Sequence, residues 1–279
     1  MSRIALPPAL DAATLKQVLA TSTPADLGEV QVHAELDSTN AASLRLLVEQ
    51  GYSQRLICAH RQTAGRGRRG RVWHSPRQSG IYLSLTRILP SIHGLHALSL
   101  VTALSVITAL EAFELNSVRV KWPNDVLIDG AKLAGVLLEL KQRDDEVAMV
   151  FGIGVNLCFL DTERASIARP ITDLASHLAV LPRQEELVAG ICQKLLGAIE
   201  VFLKEGFKPF VELWNQRDAF IDCSVQVKAG SRQRLGIHRG VDAQGALLLE
   251  GAQGKEAIHG GEIFPSVQLA GGAAGAVRP

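Results

Sequence analysis

The run Ser117–Leu140 restricts the fold more than any other stretch of this chain. It contains three β-rich segments separated by two turn signals. Pro123 fixes its own φ, and Asn124 and Asp125 can bond the local backbone, so Pro123-Asn124-Asp125 is a turn with a mechanism. Asp129-Gly130 is a strong hairpin signal. Three strands with two turns follow, and Val147–Val155 predicts another strand, interrupted by Gly152 and Gly154 and ending at Asn156.

The rest of the chain alternates strands with helices. Strands are predicted at Val30–His33, Leu56–Ala59 and Gly80–Leu85. Helices are predicted at Asp11–Leu19, Ala41–Gln50, Leu95–Glu114, near Asp173–His177, at Gln184–Lys204 and over residues 207–217. From Phe220 onward the texture changes. Short strands such as Val225–Val227 and Leu247–Leu249 stand between Gly-containing turns, as in a small β-barrel of about 50 residues. Residues 1–219 therefore read as one α+β domain with residues 1–29 as an extension, 220–269 as the barrel, and the Gly/Ala-rich 270–279 as a disordered tail.

Two segments carry chemistry. Gly65-Arg66-Gly67-Arg68-Arg69-Gly70-Arg71 holds four arginines and three glycines. Glycine lets a backbone approach a ligand closely, and the arginine fork suits phosphate and carboxylate. Such a loop repels itself when empty and is expected to order around an anion. Asp37-Ser38-Thr39-Asn40 lies at a strand-to-helix junction. Ser38 or Thr39 is the natural helix cap, and the same hydroxyls and free N–H groups could hold a polar ligand head.

Composition limits what these segments serve. Lys plus Arg total 29 against 28 Asp plus Glu. A protein built to grip nucleic-acid backbone shows a basic excess, so the arginines are a local device. The four cysteines are scattered without the spacing of a zinc site or redox pair, which predicts free thiols in a reducing compartment. The eight histidines show no metal spacing. No apolar run suits a signal peptide or membrane span, and a soluble cytoplasmic protein is expected.

Taken together, Asp37–Asn40, Gln62 with Gly65–Arg71, Trp73-His74-Ser75-Pro76, Lys121–Asp125 and Lys132-Leu133-Ala134-Gly135 resemble the biotin protein ligases in order and spacing. The resemblance covers about residues 30–215, and Gly236–Val241 with Gly245–Leu249 resembles the small C-terminal barrel of that family. It implies a mixed β-sheet backed by helices, of the class II synthetase and biotin ligase type, followed by an SH3-like barrel. It also implies a two-step reaction. The biotin carboxylate attacks the α-phosphate of ATP, releasing pyrophosphate. A lysine of a biotin carboxyl carrier protein, from acetyl-CoA carboxylase or a related biotin enzyme, then attacks biotinyl-5′-AMP.

Residue by residue, the resemblance assigns Lys132, Arg68 and Asp125 to catalysis. It assigns Ser38, Thr39, Asn40, Gln62, Arg66, Gly67, Arg68, Lys132 and Gly135 to biotin, and Arg68, Arg71, Trp73, Asn124 and Lys132 to the nucleotide. Asp125 would serve Mg²⁺ through the phosphates. Read without it, Ser38 and Thr39 are a helix cap, Trp73 a core aromatic, Lys132 a hairpin lysine, and Asn124 and Asp125 turn residues. Some relatives carry an N-terminal helix-turn-helix domain. Only about 30 residues precede the first strand here, which implies a ligase without specific DNA binding or membrane association, acting as a monomer or weak homodimer. His74 stands where an aromatic or variable residue is expected. Two other functions compete: a lipoate or octanoyl transfer enzyme of the same superfamily, and a nucleic-acid-binding protein using the arginine loop.

Overall fold

The computed structural model describes residues 8–22, 27–90, 94–143, 146–229 and 231–265. Seven strands form the larger sheet: β1 (Glu29–His33), β2 (Arg55–Ala59), β3 (Gly80–Pro90), β4 (Arg119–Lys121), β5 (Asp125–Ile128), β6 (Ala131–Arg143) and β7 (Glu146–Asn156). Their order is β1-β2-β3-β7-β6-β5-β4. Only β1 and β2 are parallel, so the sheet is mixed, as expected.

Side-chain alternation along the strands decides the layers. On β7, Val147, Met149, Phe151, Ile153 and Val155 face the main core, whereas Ala148 and Val150 face the opposite side and meet Leu47. That opposite face is covered by α2 (Thr39–Glu49). The main face is covered by α3 (Leu98–Glu111) and α5 (Gln184–Glu205), with α1 (Ala12–Ser22) against α5. Helix α3 is mostly apolar and largely internal, with eleven of its fourteen residues buried. Its hydroxyls at Thr102, Ser105 and Thr108 donate to the carbonyls of Leu98, Val101 and Leu104 at 2.6, 2.9 and 3.0 Å, which lets them sit in a core.

Two expectations are corrected. Asp173–His177 holds only a single 3₁₀ turn, Leu174–Ser176. Asp173 caps it by accepting from Ser176 N, and also accepts from Phe159 N and Arg164, so it serves as a junction rather than a helix start. A short helix α4 (Asp161–Ala165) forms where none was expected, with Glu163 reaching back to accept from Leu160 N at 2.9 Å. The remaining helical stretch resolves into a 3₁₀ turn, Lys208–Phe210, and α6 (Val211–Arg217).

The C-terminal part is a five-stranded antiparallel sheet of β8 (Ser224–Ala229), β9 (Arg232–Val241), β10 (Leu247–Gly251), β11 (Gly254–Ile258) and β12 (Glu262–Pro265), in the order β11-β10-β9-β8-β12. Among the described residues no pairing joins β11 to β12. The expected tail 270–279 and the end of the expected barrel lie outside the described residues. The two sheets share one core, since Val225, Leu247 and Ile263 belong to the same apolar cluster as α3 and β7. Polar pins cross the junction. Trp122 Nε1 donates to Gly245 O at 3.2 Å, and buried Asp218 receives Trp214 Nε1 at 3.2 Å and lies 2.7 Å from His238 Nε2. No cysteine forms a disulfide; Cys58 and Cys192 are buried. No helix is long and apolar enough to cross a membrane, among the described residues.

Candidate functional site

The sheet, α2 and the arginine loop enclose a cleft of about 820 Å³, its solvent-open part included. Ser38, Thr39, Asn40, Gln62, Arg66, Gly67, Arg68, Arg71, Trp73, Asn124, Asp125, Lys132 and Gly135, the residues assigned by sequence, all line it.

At one end Ser38 caps α2, its Oγ accepting from Ala41 N at 3.4 Å. Thr39 N and Oγ1 donate to Gln62 Oε1 at 2.9 and 3.3 Å, and Gln62 Nε2 donates to Ser75 Oγ at 2.8 Å. Ser84 Oγ lies 2.8 Å from Thr39 Oγ1 and 2.6 Å from Asn40 Oδ1. The Asn40 amide donates to Leu137 O and Glu139. Its polar atoms are thus committed to the protein, and Asn40 props the wall. Glu139 in turn pairs with Arg66 at 3.5 Å.

The middle of the cleft is floored by glycines on β6 and β7. A Cβ on Gly154 would come within 2.5 Å of the Trp73 ring, and one on Gly135 within 2.9 Å of both Trp73 and Lys132. Any side chain there would close the floor. Trp73 Nε1 is buried and has no hydrogen-bond partner among the described residues.

At the other end stands Lys132, which enters just after the β5–β6 hairpin. It is buried, pairs with Asp125, and lies 5.1 Å from the centre of the Trp73 ring. Burial pulls its ammonium below the ordinary lysine range; Asp125 opposes that pull, and Arg169 and Lys121 add to it. Asn124 donates to Val136 O at 2.5 Å and accepts from Arg68 Nη1 at 3.4 Å, so the Pro123–Asp125 turn is fastened to both β6 and the loop. Lys121 is also pulled down, chiefly by burial, and sits 5.8 Å from the Phe220 ring centre.

The arginine loop is held by carboxylates. Arg71 makes a two-pronged contact with Glu262 of β12, one prong at 2.6 Å, and Arg69 approaches Glu262 at 3.9 Å. Arg69 takes a left-handed φ of 58°, which turns the chain between the two cationic side chains. Arg68 has no carboxylate ion-pair partner among the described residues, and its guanidinium is lowered first by burial.

A smaller cleft adjoins the first, with Trp73, Lys132 and Arg169 lining both. Its walls include Phe159, Ile167 and Ile171, with Asn156 beside them. Asn156 Nδ2 donates to the carbonyls of Lys132 and Thr172 at 3.1 and 2.9 Å, which leaves Oδ1 as an acceptor.

Several lining groups escape sequence reasoning. Gly152 and Gly154 interrupt a strand, a signal of close approach that only the fold explains. Lys121 sits inside a legible motif. Arg169, Phe159 and Glu262 carry no local signal.

Residues 32–156 match the biotin/lipoate A/B protein ligase family, and residues 221–264 match the biotin protein ligase C terminal domain. The chain is 36% identical over 247 residues to the bifunctional ligase/repressor BirA of Escherichia coli (strain K12), spanning 88% of this chain and 75% of that protein. It is 34% identical over 241 residues to the biotin–[acetyl-CoA-carboxylase] ligase of Paracoccus denitrificans, spanning 83% and 98%. Its fold is similar to that of the biotin protein ligase from Aquifex aeolicus in complex with biotin and ATP, with a TM-score of 0.72 at 27% identity over 85% of this chain and 97% of that one.

Proposed function

The chain belongs to the biotin protein ligase family, and on that premise we propose that it joins biotin to a lysine of a biotin carboxyl carrier protein at the expense of ATP, through biotinyl-5′-AMP. One observation carries this reading. A hydroxyl and amide network (Ser38, Thr39, Gln62), a glycine floor, a buried lysine and an arginine loop all line the same cleft.

The ureido group of biotin needs donors and an acceptor together, and Ser38, Thr39 and Gln62 offer both. Its apolar tail suits the floor at Gly152, Gly154 and Gly135. The carboxylate then reaches Lys132. Purine chemistry suits the smaller cleft, with Trp73 and Phe159 as apolar walls and Asn156 Oδ1 to accept from an exocyclic amine. In the first step a carboxylate oxygen bonds the α-phosphorus, the bond to the bridging oxygen breaks, and pyrophosphate leaves. Lys132 and Arg68 offset the repulsion of two anions and the charge that builds up between them. In the second step a neutral lysine amine attacks the acyl carbon and AMP departs. The loop over the anhydride keeps water away from it.

The substrate is read as MgATP. Among the described residues no cluster of three or more His, Cys, Asp or Glu could hold a resident metal. Asp125 is a single carboxylate already paired with Lys132, so it suits an ion that arrives on the polyphosphate. The C-terminal sheet is read as an SH3-like barrel, supported by its antiparallel order and family match. The balanced charge supports a protein without DNA-gripping or membrane-binding duties; it is read as working in the cytoplasm, as a monomer or weak homodimer.

The test is incubation with biotin, MgATP and a carboxyl carrier domain, followed by intact mass of the carrier. Gain of one biotinyl group is expected. An unmodified carrier, or equal modification from lipoate or octanoate, overturns the proposal.

A further inference from the structure

The cations of the large cleft divide into two sets. Arg66, Arg71 and Lys132 are already paired with Glu139, Glu262 and Asp125. Arg68, Lys121 and Arg169 line the same cleft without a carboxylate partner among the described residues. Arg68 and Lys121 belong to motifs of the first reading. Arg169 belongs to none, and its guanidinium makes no hydrogen bond or ion pair among the described residues.

Arg169 is nonetheless mounted firmly. The segment that carries it runs beside Lys132 in a parallel bridge, Lys132 to Ile171. Lys132 N donates to Pro170 O at 3.0 Å, and Thr172 N donates back to Lys132 O at 3.0 Å. Arg164 reinforces the segment by donating to Ile171 O at 3.1 Å and to Asp173 at 2.6 Å. Residue 169 is therefore tied to the same strand that positions Lys132. Its side chain is half-buried and lies at the border of the two clefts, with Trp73 and Lys132. Its positive charge is felt by both Lys132 and Lys121. Asp125 and Glu262 offset part of the charge on Lys121, but Arg169 adds repulsion to both Lys121 and Lys132, and an anion between them relieves that cost.

The border of the two clefts is where a nucleotide with its base beside Trp73 and its acylated end beside Lys132 would carry its α-phosphate. We propose that Arg169 is a phosphate-binding residue of this site, holding the α-phosphate of ATP and then the phosphate of the adenylate from the side opposite Arg68. The planar fork can take two phosphate oxygens at once, which a lysine cannot. This inference rests on reading the smaller cleft as the nucleotide-base site.

Binding measurements on the full chain separate the two. Wild type, Arg169→Gln and Arg169→Lys are titrated with 5′-AMP and with adenosine by calorimetry, after circular dichroism has verified their folds. Loss of a charge-assisted contact is expected to weaken AMP about 10- to 100-fold in Arg169→Gln. Adenosine affinity stays within twofold, and Arg169→Lys falls between. The half-life of enzyme-held biotinyl-5′-AMP, measured by gel filtration, shortens in the same order. An unchanged ratio of AMP to adenosine affinity in Arg169→Gln overturns the role of Arg169 while leaving the nucleotide site standing. A wild-type protein that binds neither ligand overturns both.

Discussion

Replacing Asp125 by Asn removes a charge but little volume, and its effect can be worked out from the surroundings of Lys132. The Lys132 ammonium faces Asp125, Lys121, Arg169 and the Trp73 ring. Burial and the two cations lower it; Asp125 alone raises it. The paired side chains are 11% and 17% exposed, so their attraction is screened less than in water. Unit charges at close range interact by about 1 kcal/mol in water and about 4 kcal/mol near a protein surface. Losing an attraction of intermediate size, about 2–3 kcal/mol, leaves burial and the two cations to pull the Lys132 ammonium down further.

The alkaline limb of kcat/KM reports the free enzyme, before ATP brings its own negative charge. In Asp125→Asn that limb is expected to move to lower pH, measured as pyrophosphate release at sub-saturating biotin. Stability has a definite sign as well. A lysine whose folded value lies below its unfolded value costs stability while charged, and the cost is relieved as pH rises from the folded value to the unfolded one. The variant is therefore less stable than the parent near neutral pH and recovers more at alkaline pH. A uniform drop in rate with the limb unmoved would refute the reasoning, because Asp125 would then act on the reaction without tuning the ammonium.

Three further outcomes are expected. Arg68→Gly releases adenylate into solution, so biotin blots of added serum albumin darken relative to wild type; equal labelling from a variant that still makes adenylate rules out retention by Arg68. Trypsin cuts within Arg66–Arg71 more slowly once biotin and ATP are present, and equal cutting with and without them excludes a loop that closes on ligand. Gly152→Ala places a Cβ 2.2 Å from Asn40 Oδ1 and must displace an amide that holds Ser84, Leu137 and Glu139. A stability loss of about 2–3 kcal/mol in urea, with weaker biotin binding, is expected; an unchanged midpoint would show that Asn40 moves freely.

Local chemistry explains what could be read in advance. Pro123, Asn124, Asp125, Asp129 and Gly130 act on their own neighbours, so the β4–β5–β6 succession needed no tertiary knowledge. An apolar run marked α3 and an amphipathic one α5 for the same reason. The stretch Asp173–His177 forms one turn rather than a helix because Asp173 spends its carboxylate on Phe159 N and Arg164 as well as on Ser176 N, contacts that only the fold brings together. Within the cleft, motif residues were recognisable as a set, each beside others of its kind. Arg169 was not. It lies 37 residues beyond Lys132 in an ordinary Ala-Arg-Pro context, and only the Lys132–Ile171 bridge brings it back. Glu262 is a lone carboxylate on a short strand until the sheet order sets it against Arg71.

The Arg71–Glu262 contact also has a meaning in time. Glu262 is made 191 residues after Arg71, a delay of roughly 10–40 s at ordinary rates of synthesis. Gly245, which receives the Trp122 indole, is likewise made 123 residues after it. Until then the arginine loop lacks its anchoring carboxylate and the turn that holds Asn124 lacks its backing. A nascent chain can thus assemble its larger sheet well before its reactive cleft is complete. Both domains must be made before the chain can enclose an intermediate able to acylate any exposed amine, including those of its own growing surface.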